Sequence, residues 1–188
     1  MMSEELSLNT VDGKPIKMMV GLAWDPNEEK WGNLDTNIKV HNLDLSCAVL
    51  TESMQVKDLI TPDNPMRDAY KDKIFHAGDN LSGGADFEDE EIRVDFSRLD
   101  DDIHGLAFIV SANNKIKFEN VKNGECAFNN AQTLQPFLTV SLDDIPGQHR
   151  IVGIAKRTKS GWALQEAKVD VNALDEYIIE KALGEATV

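Results

Sequence analysis

The chain has 188 residues, 41% of them hydrophobic, and a formal net charge of −14. That length suffices for one well-packed core. The carboxylate excess excludes a general nucleic-acid binder, whose phosphate contacts need Lys and Arg, and disfavours unaided adsorption to an anionic membrane.

Residues 1–13 are set apart as an N-terminal segment. They begin Met1-Met2-Ser3-Glu4-Glu5 and lack the basic and apolar regions of a secretory signal. No apolar run approaches the ~18 residues of a membrane helix, so no direct membrane insertion is expected. Residues 16–24 form an apolar run of strand length that ends at Asp25-Pro26, and 27–41 read as a long polar loop containing Trp31. In 42–50, Leu43, Leu45, Cys47 and Val49 alternate with Asp44 and Ser46, the pattern of a half-buried strand. Pro62 and Pro65 mark 52–72 as a connection rather than an element, and 73–76 suggest a short strand.

After an acidic loop, Ile92, Val94 and Phe96 point inward, and 105–110 are continuously apolar, as expected of a central strand covered on both faces. Further strands are expected at 124–128, 136–142, 150–156 and 162–169, the last two as a hairpin around Lys159-Ser160-Gly161. Helical spacing of Val171, Leu174, Ile178 and Ala182 predicts a helix over 170–184, capped by Asp170 and stopped by Gly184. Strand-length runs between turn-rich intervals make this an all-β chain, a β-sandwich with a short C-terminal helix, expected as one domain over 1–188. Cys47 and Cys126 fall in strand-like runs, as buried thiols of a reducing, cytoplasmic protein do.

The charge is concentrated. Between Asp79 and Asp102 there are ten acids and two bases. The stretch from His76 to Ile92 leaves one strand, turns through Gly78, Gly83 and Gly84, and enters the next. It offers Asp79, Asn80, Ser82, Asp86, Glu88, Asp89 and Glu90 as oxygen donors, with His76 the nearest nitrogen. Hard oxygen donors on a flexible loop suit Ca2+ and suit zinc or copper poorly. Asp44, flanked by Leu43 and Leu45, is a carboxylate whose charge needs compensation there, so it is a candidate to complete the shell.

The EF-hand pattern is absent, because Leu81 and Gly83 stand at the third and fifth positions from Asp79. A phosphate-binding loop is absent too, since no lysine lies between Lys73 and Lys115. Composition alone leaves a calcium site and a solvated acidic loop equally open. The four histidines lack the spacing of zinc sites, and Ser46 and Ser82 lack the surroundings of a nucleophile. Trp24 and Trp162 fit the core better than a sugar platform.

Three blocks, Gly21-Leu22-Ala23-Trp24-Asp25, Asn42-Leu43-Asp44-Leu45-Ser46, and His76 through Asp89-Glu90, resemble the TerD family of tellurium-resistance and stress proteins, over roughly residues 16–169. The resemblance implies a two-sheet β-sandwich with calcium-binding loops at one end. It carries Asp44, Asp79, Asn80, Asp86, Asp89 and Glu90 over as metal positions, with Asp25 as a contributor. It also implies a non-enzymatic, cytoplasmic stress module that acts through protein partners in a membrane-associated stress complex.

The chain departs from the family pattern where Asn42 and Glu88 stand at positions usually held by Asp. Gly84-Ala85 replaces an acid-glycine pair, Phe87 replaces a glycine, and the family's glycine-rich ending is not found after Trp162. Asn42 and Glu88 remain candidate metal positions. A metal-dependent hydrolase using the same carboxylates, and a structural β-domain without metal, are the alternatives.

Overall fold

The computed structural model describes residues 3–25, 42–79, 89–113 and 116–186. Eleven strands and one α-helix follow in chain order: β1 (Glu5–Ser7), β2 (Lys17–Ala23), β3 (Leu43–Leu50), β4 (Val56–Ile60), β5 (Ile74–His76), β6 (Glu90–Asp95), β7 (Gly105–Ala112), β8 (Glu125–Asn130), β9 (Pro136–Ser141), β10 (His149–Thr158), β11 (Gly161–Val171) and α1 (Glu176–Ala186). They build two antiparallel sheets, ordered β1-β11-β10-β7-β3-β4 and β5-β6-β2-β8-β9. The β-sandwich expected from the strand pattern is the one observed. Among the described residues, no helix is long and apolar enough to cross a membrane.

Alternation places the core between the sheets. Leu43, Leu45, Cys47 and Val49 of β3 and Leu106, Phe108 and Val110 of β7 join Met18, Val20, Leu22, Ile92 and Val94 of the facing sheet in one buried cluster. Trp24 and Trp162 belong to it as well. Both cysteines are buried free thiols, and burial pushes the Cys47 thiol far above its usual range, which leaves it inert.

Every residue of β7 is buried, because the outer face of the larger sheet carries a second apolar cluster. Ala48, Leu50, Ala107, Ile109, Ile151 and Ile154 lie there with Ile179 and Leu183 of α1. Fully burying such an aliphatic side chain contributes roughly 1.5–3 kcal/mol, so the helix is held by its apolar face. Its Glu180 Oε1 also accepts a hydrogen bond from the Val56 N–H of edge strand β4 at 2.7 Å, which blunts that edge.

Three expectations change. The helix starts at Glu176, not at Asp170, because β11 continues through Val171 against His149 and the Asp170 carboxylate binds the Arg150 guanidinium at 2.6 and 3.1 Å. Asp175 takes the capping role, accepting from the Ile178 N–H, and Gly184 lies inside the last turns. The stretch 52–72 contains a strand, β4, which pairs with β3 before Pro62 stops it. Within 1–13, β1 adds an edge to β11, and Leu8 is fully buried. The loop 27–41 with Trp31 lies outside the described residues.

β10 changes register between Ile151 and Gly153 against both of its neighbours, and a β-carbon at Gly153 would lie 2.5 Å from the Phe128 ring of the opposite sheet. Phe128 is itself packed edge-on against Phe108 at 5.5 Å, so it has little room to yield. Gly153→Ala should therefore destabilise the protein by about 1–3 kcal/mol. Gly147→Ala, where nothing lies within 4 Å, should stay within about 0.5 kcal/mol. Urea unfolding of the two variants beside the parent checks both.

Candidate metal centre

Where β4 stops, β3 is left with an open edge. Continuing the register Cys47↔Ile60 would set Pro62, which has no N–H, against Leu45. The backbone groups of Leu45 must find other partners, and the facing sheet supplies them as side chains. Glu90, the first residue of β6, accepts the Leu45 N–H on Oε2 at 2.8 Å. His76, the last residue of β5, holds the Leu45 carbonyl at 2.8 Å through Nε2. Its Nδ1 accepts from the Gly78 N–H at 3.1 Å, which fixes the ring proton on Nε2. Burial, the larger influence, lowers the His76 pKa and keeps the imidazole neutral. Both ring nitrogens are committed to the backbone, so His76 positions the site rather than offering a ligand.

Glu90 is fully buried within this arrangement, only 2% exposed. One ligand oxygen each from Asp44, Asp79 and Glu90 lie within 4.8 Å of one another. Three elements converge there: β3 brings Asp44, the chain leaving β5 brings Asp79, and the start of β6 brings Glu90. Two oxygens on one Ca2+ at 2.3–2.6 Å are separated by at most ~5 Å, so the three fit a single ion of that size.

Like charges at such range repel. Burial first, and then the Asp79 charge, raise the Asp44 carboxyl to about 6, although the Asn113 amide that donates to its Oδ2 pulls the other way. Oδ1 of Asn42, just before β3, and Oδ1 of Asp44 and Oγ of Ser46, on β3, are buried with no hydrogen-bond partner among the described residues. Buried oxygens of this kind are rarely left unsatisfied. The donor set is oxygen throughout, and it fits a hard cation.

The remaining candidates are placed as follows. Asp89 lies beside the cluster, where its Oδ2 accepts the Trp24 N–H at 2.9 Å and its own N–H bonds the Leu22 carbonyl at 2.8 Å. Asp25 turns towards the segment before β8, with its Oδ2 accepting from the Asn123 amide at 2.7 Å and its N–H bonding Lys122. Neither joins the three-carboxylate group. Asn80, Asp86 and Glu88 lie outside the described residues. Asn113 was not legible as a neighbour of Asp44, because only the register Asp44↔Ser111 sets the end of β7 beside Asp44.

Glu90 thus has a structural duty separable from its charge. In metal-free buffer, Glu90→Ala leaves the Leu45 N–H without its acceptor and should cost about 2–4 kcal/mol. Glu90→Gln keeps an acceptor and removes one of three repelling charges, so it should melt at or above the parent temperature. Equal losses in the two variants would refute the bridge to Leu45.

The profile of the TerD domain matches residues 2–171. The tellurium resistance protein TerZ of Serratia marcescens is 29% identical over 126 residues, 66% of this chain. The general stress protein 16U of Bacillus subtilis strain 168 is 26% identical over 98 residues, 50% of this chain. These matches span 64% and 47% of the relatives' own lengths.

Among solved structures, a homologue of the telluride resistance protein TerD from Streptomyces coelicolor A3(2) superposes with a TM-score of 0.69 at 18% identity. It covers 88% of this chain and 95% of that one. A protein of unknown function also reaches 0.69, at 17% identity over 84% of this chain and 92% of its own. These likenesses concern the fold alone. With the domain profile running from the first strand to the end of β11, the chain belongs to the TerD-domain family, and α1 lies outside the matched residues.

Proposed function

We propose that Asp44, Asp79 and Glu90 hold a calcium ion, and that the chain is a non-enzymatic, cytoplasmic stress-response module acting through calcium-dependent contacts with protein partners. The observation that carries this reading is the convergence of three carboxylates within 4.8 Å beside buried, unsatisfied oxygens of Asn42 and Asp44. A bound Ca2+ supplies the positive charge that lets the three carboxylates coexist. Asp44 anchors the site to the larger sheet, and Glu90 ties it to the smaller one. Asp79 and Glu90 stand at the two ends of the loop that joins β5 to β6, so drawing them together restrains that loop at both ends.

Asn80, Asp86, Glu88 and Asp89 are proposed to complete the shell from the same loop, with Asn42 and Asp25 flanking it. A hydrolytic role is disfavoured because His76, the imidazole beside the carboxylates, has both nitrogens engaged by the backbone and is not available as a general base. The names of TerZ and of the general stress protein support tellurite and related stress as the setting. A membrane-associated stress complex is the partner assembly we propose.

An ion bound only by the folded state raises stability by mass action. Millimolar calcium should raise the melting temperature above that in chelator, with magnesium much weaker because it demands a tight octahedron and keeps its waters. Asp79→Asn should abolish the calcium-dependent shift. Asp101→Asn, in the exposed run after β6, should leave it intact. Identical melting curves in calcium and chelator would reject the proposal, and equal losses in the two variants would displace the site.

A further inference from the structure

The outer face of the smaller sheet carries a cleft of about 500 Å³, within the range of small-molecule sites. It lies at the end opposite the carboxylates. Lys17 opens β2 and pairs with Asp95 at the close of β6, whereas Leu22 pairs with Glu90 at the other end. The length of β6 separates the two regions by roughly 17 Å at ~3.3 Å per residue.

Four cations and two carboxylates line the cleft: Lys17, Lys73, Arg93 and Arg98 against Asp72 and Asp95. The lining alone has two more cations than carboxylates, in a chain of net charge −14, and Glu91 and Asp100 offset the difference from outside it. Lys17 and Arg98, at 4.0 and 3.4 Å, share the single Asp95 carboxylate. Asp95 also accepts hydrogen bonds from the Ser97 N–H and hydroxyl on Oδ1. Arg93 contacts Glu91, and Lys73 contacts Asp100 at 2.9 Å. Three of the four side chains are more than half exposed (57% for Lys17, 61% for Arg93 and Arg98). Ion pairs of that exposure contribute little to stability, so they yield to a more highly charged ligand. Phe75, 47% exposed, adds an apolar wall, and the Arg67 guanidinium lies 5.3 Å from its ring.

We propose that this cleft binds a compact, phosphate-bearing small anion. Two guanidiniums suit the paired oxygens of a phosphate group, and two ammonium groups add point charges. The size limit follows from electrostatics: the acidic remainder of the molecule repels long polyanions and anionic surfaces, so the occupant enters as an isolated small ion. The cleft is independent of the carboxylate site.

The test is an amide NMR titration of the full chain with sodium pyrophosphate in calcium-free, low-salt buffer. Shifts confined to the cleft, including Lys17, Arg93, Asp95 and Gln132, are expected. Arg93→Gln/Arg98→Gln should weaken binding by at least about tenfold, since both guanidiniums supply charge-assisted contacts to the anion. Lys159→Gln/Lys181→Gln, the same change of charge at exposed sites elsewhere, should not. Absent shifts, shifts outside the cleft, or equal weakening by both pairs would overturn the proposal. Tighter binding of hexaglutamate than of pyrophosphate would replace the small anion by an acidic protein segment. Co-sedimentation with phosphatidic acid vesicles would replace it by a lipid headgroup.

Discussion

The buried Glu90 carboxylate against the Leu45 N–H is the contact on which the site end of the molecule depends. A β-sandwich closes its ends with loops, and a strand edge left unpaired there carries backbone groups that need partners. Here β4 ends at Ile60, two positions short of Leu45, and the gap is filled by side chains of the other sheet. The two sheets are thereby joined by charge-assisted hydrogen bonding as well as by apolar packing. The cost is a carboxylate buried close to Asp44 and Asp79, an arrangement that favours a cation. Fold and proposed chemistry therefore share one residue.

The placement of His76 makes the same point from the nitrogen side. A histidine next to an acidic loop invites a metal-ligand role or a catalytic one. Its two ring nitrogens instead satisfy Leu45 and Gly78, and burial keeps it neutral. Its neutrality leaves the compensation of Glu90 and Asp44 to groups other than the imidazole. A neutral imidazole fits a site that attracts cations through carboxylates alone.

Much of this was legible in the sequence, for physical reasons that differ by element. The unbroken apolar run of β7 reports directly on two-faced burial, and both strands formed where the pattern put them, but the alternation of β3 hid that Ser46, Ala48 and Leu50 are buried on its second face as well. The position of α1 was misread because Val171, Leu174 and Ile178 satisfy helical spacing whether or not a strand still claims the first of them. Pairing of β11 with β10 through Val171, and of Asp170 with Arg150, decided that contest. β4 was hidden because the stretch was judged by Pro62 and Pro65, which both follow it rather than interrupt it. Composition made the oxygen-rich loop a candidate for a hard cation without deciding against a solvated loop, and the meeting of Asp44 with Glu90 has no local signal in the sequence. The role of Asn113 is a product of register, and no local signal carries register.

Calorimetric titration of chelator-treated protein with calcium, parent beside Glu90→Gln, tests the central claim most directly, because the glutamine still accepts the Leu45 N–H while lacking the charge. The account predicts a saturable isotherm for the parent and at least about tenfold weaker binding for the variant, in line with the loss of one charged ligand. No heat of binding in the parent, or indistinguishable isotherms for the two proteins, would contradict it.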